Sequence, residues 1–159
     1  MNDTATIETQ DTAFNIDRPG TGKRVSILGV PLGFGCSLPG VDIGPAAIRV
    51  ARLSQRVAQL GYEVRDLGDM RIMRPTSIPA PHEPARYLAE MTEACEALAT
   101  EVRDILRDGE TPIIIGGDHS IAIGSISGVA AYCREREETF GLIWFDAHAD
   151  MNTPETLPT

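Results

Sequence analysis

Two short apolar runs rich in β-branched residues, RVSILGV (24–30) and TPIIIGG (111–117), constrain this chain more than any other feature. Both are too short for a buried helix, and each is closed at once by proline or glycine or by a loop that begins with them. They read as buried strands. YEVRDLGD (62–69) reads as a second, shorter strand between them, and FGLIWFDAHAD (140–150) as a fourth that runs into charge. The intervening stretches carry the helical period instead. After Pro45, Val50, Leu53, Val57 and Leu60 recur at spacings of three and four, predicting one helix that Gly61 ends. Leu88, Met91, Cys95, Leu98, Val102 and Ile105 predict a longer helix stopped by Asp108-Gly109, and the stretch from Ser120 to Tyr132 predicts a third. Strands alternating with helices specify right-handed βαβ crossovers. The expected fold is therefore α/β, a parallel β-sheet flanked by helices.

Residues 1–23 are polar and read as a flexible arm, leaving 24–159 as one domain with no repeat and no internal boundary. The glycine- and proline-punctuated segments 31–44 and 70–83 read as loops, and His82 within PHEP reads as a solvated histidine. A formal net charge of −9 argues against nucleic acid and against an anionic membrane surface, and suits a cationic ligand. No run approaches the ~18 apolar residues of a membrane span, and the N-terminus has no apolar signal core. Cys36, Cys95 and Cys133 are scattered, without a C-x-x-C pair, and read as free thiols of a cytoplasmic protein.

In an open parallel sheet, ligands bind beyond the carboxyl ends of the strands. Three segments fall there: the loop from Pro31, Gly116-Gly117-Asp118-His119-Ser120, and Asp146-Ala147-His148-Ala149-Asp150. In extended chain, Asp146, His148 and Asp150 point the same way. Together with His119 they would repel or strand their charges unless a cation joined them. Mixed carboxylate and imidazole donors suit Mn²⁺, Fe²⁺, Co²⁺, Ni²⁺ or Zn²⁺ better than Ca²⁺, and no cysteine is near enough in this pattern to favour a sulfur site. Cys36 lies in the first rim loop, but nothing beside it in the sequence would activate it as a nucleophile.

GGDHSIAIGSISG (116–128), WFDAHADMNTPET (144–156) and GVDIGPAAIR (40–49) resemble the ureohydrolase family, arginase most of all. The resemblance runs from about residue 24 to the end. It implies a three-layer α/β/α sheet, two Mn²⁺ ions that activate a bridging water, and hydrolysis of L-arginine to L-ornithine and urea. By position it implies His119 and Asp150 as ligands of one metal, His148 of the other, and Asp146 bridging both. It implies Asn152 and Thr159 as contacts to the substrate's α-carboxylate, and a homo-oligomer, trimer or hexamer, when the chain is full length. Leu157 departs from the pattern, standing where arginases carry a small hydroxyl residue; this favours agmatinase or another guanidino hydrolase as the alternative. The resemblance also places two further metal-binding aspartates, a catalytic histidine and a glutamate beyond residue 159. The sequence is accordingly expected to be the N-terminal half of a longer enzyme, incomplete in its fold and inactive alone, or else a non-catalytic metal-binding fragment.

Overall fold

A computed structural model of the protein describes residues 22–36, 39–73, 87–151 and 153. Residues 1–21 of the N-terminal arm, the part of the 70–83 loop that bears His82, and Asn152, Leu157 and Thr159 lie outside the described residues. The three strands are β1 (Arg24–Val30), β2 (Glu63–Asp69) and β3 (Thr111–Gly116). They form one parallel sheet in the order β2-β1-β3, with β1 at its centre. The helices are α1 (Gly44–Val50), α2 (Leu53–Gln59), α3 (Leu88–Arg107) and α4 (Ile121–Glu135).

Alternation along β1 divides the core between the two faces of the sheet. Val25 and Ile27, with Ile115 of β3, pack against Leu53 and Val57 of α2. Leu28 and Val30, with Leu32 just beyond, pack against Ala94, Leu98 and Val102 of α3 and against Ile121 and Val129 of α4. The expected three-layer α/β/α arrangement follows, because β1 is apolar on both faces and can only be buried between two layers of helix. The α3 periodicity is realised over Cys95, Leu98, Val102 and Ile105, all buried, while Leu88 at its start is exposed.

The single helix expected from Pro45 to Gly61 is two. Arg52 adopts a left-handed conformation at φ 63° and breaks it into α1 and α2. This costs a non-glycine residue about 1–2 kcal/mol and redirects the chain. Val50 consequently leaves the apolar face and is 84% exposed. The fourth strand at 140–150 does not form either: residues 138–151 contain no strand. A strand requires a neighbour for its N–H and C=O groups, and β3 pairs with β1 alone among the described residues. Phe140 and Leu142 instead lie over a groove bordered by Pro112, Ile114 and Val129, and Ile143 and Phe145 are fully open to solvent.

At the amino edge of the sheet, Glu110 is buried. It accepts a hydrogen bond from the Ser26 hydroxyl and ion-pairs with Arg24 at 3.2 Å and Arg65 at 3.0 Å. The opposite edge carries the chemistry. The register sets Val30 of β1 beside Gly116 of β3, so the loops that follow them start side by side.

Candidate metal centre

Beyond Gly116 the chain turns sharply into α4, and the turn is pressed onto the loop after β1. The Asp118 N–H donates to the Leu32 carbonyl at 2.8 Å. Gly117 permits this approach. A Cβ there would overlap the Leu32 carbonyl oxygen and come within 2.8 Å of the Val30 oxygen. His119 is thereby carried to the rim, just ahead of α4. After α4 the chain returns along the same edge and delivers Asp146, His148 and Asp150.

Three of the four residues singled out from the sequence converge. His119 Nδ1 stands 3.2 Å from Asp146 Oδ2, and its Nε2 stands 3.6 Å from Asp150 Oδ2. One ligand atom from each of His119, Asp146 and Asp150 lies within 4.8 Å of the others. His148 is not in that trio. It approaches from the other side, its Nδ1 3.0 Å from Asp146 Oδ1 and its side chain 84% exposed. Asp146 therefore presents one oxygen to His119 and the other to His148. Though the residue is exposed, its carboxylate side chain is only 20% exposed. The His148 N–H, donating to Oδ1 at 2.7 Å, holds the Asp146 carboxyl below the usual range, with the His148 and His119 rings adding to the effect. The group is thus kept in the anionic form that a cation requires.

The donor set fits a divalent cation. Ligand bonds of about 2.0–2.2 Å leave neighbouring donor atoms roughly 3 Å apart, close to the separation of His119 from Asp146. Two carboxylates and an imidazole are the oxygen and nitrogen donors such an ion takes. Two further residues, neither singled out from the sequence, shape the site. Trp144 donates its Nε1–H to Asp150 Oδ2 at 2.6 Å and lies 5.1 Å from the His119 ring. The buried Asp118 accepts the Gly35 N–H at 2.7 Å. The even spacing of Trp144 with Asp146, His148 and Asp150 hints at its role; nothing in the sequence pairs Asp118 with Gly35. Cys36, Cys95 and Cys133 are all free.

An open parallel α/β sheet with carboxylates and imidazoles gathered at its carboxyl edge defines the class. The profile of the arginase family matches residues 23–159. The chain is 43% identical over 141 residues to the arginase of Bacillus caldovelox, covering 86% of this chain and 45% of that one. A native structure of that arginase superposes with a TM-score of 0.74 at 42% identity, covering 86% and 44% of the two chains. The arginase of Entamoeba histolytica, solved in complex with L-ornithine, superposes with a TM-score of 0.72 at 31% identity, covering 86% and 45%. This chain belongs to the arginase family. It spans less than half the length of the curated relatives it matches.

Proposed function

We propose that the protein is a binuclear manganese hydrolase that converts L-arginine and water to L-ornithine and urea. The observation that carries this reading is the division of Asp146 between His119 on one oxygen and His148 on the other, with Asp150 beside His119. His119 and Asp150 would hold one ion, His148 the second, and Asp146 both. When bound, such ions would supply Lewis acidity that lowers the pKa of water towards about 7. The chain's own groups do the rest of the work at this edge. Asp146 and Asp150 offset the ions' charge and keep the site hospitable to a guanidinium cation, as does the net charge of −9. Trp144 restrains Asp150 through its indole N–H. Asn152 and Thr159 are proposed to contact the substrate's α-carboxylate.

Family membership and the geometry of the rim support this reading. The three free cysteines suit a reducing cytoplasm, and no described helix is long and apolar enough to cross a membrane. A cytoplasmic location is proposed on the thiols, and a homo-oligomer, trimer or hexamer when full length, on family membership. Leu157 favours a second reading, hydrolysis of a guanidino substrate without an amino-acid head. Urea release with Mn²⁺ from L-arginine, agmatine and guanidinobutyrate separates the two. Release from arginine alone supports the first reading and preference for agmatine the second. These 159 residues alone are expected to release no urea, so the comparison is made on a chain of the relatives' length, and a metal-loaded chain of that length that cleaves none of the three would sink both.

A further inference from the structure

Asp118 is not among the three residues whose ligand atoms converge, yet it is the more deeply buried carboxylate, 8% exposed. Both of its oxygens are engaged. Oδ2 accepts the Gly35 N–H at 2.7 Å; Oδ1 accepts the Ser120 N–H at 2.9 Å and also the Ser120 hydroxyl. The residues on either side of His119 are thus fixed, and the loop after β1 is fixed to them. Gly35 matters here because a Cβ at its position would come within 3.2 and 3.3 Å of the two Asp118 oxygens. Hydrogen bonds to an ionised acceptor are the strong kind, and burial makes an unmatched partner costly.

We infer that Asp118 is a positioning residue for His119. It clamps the 32–36 loop to the turn that carries the imidazole, so that loop and ligand hold one common geometry. This goes beyond the proposed metal-dependent function and rests on it only for the metal-binding arm of the test. The chemistry makes a sharp demand. Three donors reach Asp118 on two different oxygens, so the carboxamide of Asp118→Asn can satisfy one side only. Its NH₂ would face either the Gly35 N–H or the Ser120 N–H, donor against donor, and the Ser120 hydroxyl would have to turn from donor to acceptor.

The test compares the wild-type protein with Asp118→Asn, Ser120→Ala and Ser120→Thr. Without metal, amide exchange at Gly35 and the ring resonances of His119 are followed by NMR. With MnCl₂ as the probe, affinity is measured by calorimetry. Asp118→Asn is expected to speed Gly35 exchange roughly tenfold or more and to shift the His119 signals. It should weaken Mn²⁺ binding by about 10–100-fold, as loss of a partner behind a ligand does. Ser120→Ala should move the same signals less, and Ser120→Thr, which retains the hydroxyl, should restore them. Folded Asp118→Asn with wild-type Gly35 exchange and wild-type His119 signals would overturn the inference. So would Ser120→Ala that moves neither, which decides the matter if Asp118→Asn does not fold. If the wild-type protein takes up no Mn²⁺, the proposed function falls, while the metal-free signals still decide the role of Asp118.

Discussion

His119 Nδ1 stands 3.2 Å from Asp146 Oδ2, with the whole of α4 between the two residues in the chain. α4 is therefore the spacer that closes the site. Replacing Asp146 by Asn keeps the shape but removes the negative charge and one acceptor. Asp146→Asn should lose metal-induced stabilisation. In the wild-type protein this reaches about 2.7 kcal/mol with Mn²⁺ at a hundred times its dissociation constant. Calorimetric melting with Mn²⁺ and then with EDTA measures it; an unchanged shift in the variant would exclude Asp146 as a ligand.

Acid should weaken the fold from the other edge of the sheet. The Ser26 hydroxyl first, and then the Arg65 and Arg24 guanidinium groups, hold the Glu110 carboxyl below 4.5 against the desolvation of burial. A carboxyl depressed in the folded state stabilises the protein fully above its unfolded value and ceases to as pH falls through its folded value. Urea midpoints should therefore decline below about pH 4.5, and Glu110→Gln should be less stable at neutral pH with a flatter decline. A variant with the wild-type profile would count against this account.

Gly117→Ala tests the crowding at the turn. The added Cβ meets backbone atoms of Leu32 and Val30, which cannot rotate aside. A loss of about 1–3 kcal/mol is expected in urea unfolding. Gly141→Ala is the control, since nothing lies within 4 Å of a Cβ there, and it should be close to neutral.

Leu98 is 1% exposed between the sheet and its α3–α4 layer. Leu98→Ala should cost about 2–5 kcal/mol, whereas Leu142→Ala, at a residue 57% exposed, should stay within about 0.5 kcal/mol. Similar losses at both positions would mean that 140–145 is buried in solution.

The sequence reveals best those elements whose burial is settled by their own composition. β1 and β3 are apolar enough to demand cover on both faces, and α3 repeats its buried positions over several turns. The break at Arg52 is illegible because neither Ala51 nor Arg52 carries a glycine or proline signal; the turn is dictated by where α2 must lie against Val25 and Ile27. The run at 140–146 has the pattern of a strand, but pairing is a property of two segments, and one segment cannot announce its neighbour. At the rim, the spacing of Asp146, His148 and Asp150 and the placing of His119 after β3 were enough to bring these residues to one edge. The tie from Asp118 to Gly35 depends on the register of β1 against β3, which no local pattern encodes.

The two borders of the sheet differ in kind. Along β2, Glu63, Arg65, Asp66 and Asp69 are exposed, a charged fringe that discourages any added strand. Along β3 the residues are Ile113, Ile114 and Ile115, with no described partner on the outer side. The sheet is thus polarised for growth: an incoming segment, from this polypeptide or another, finds backbone groups and apolar side chains to join at β3 and an electrostatic fence at β2.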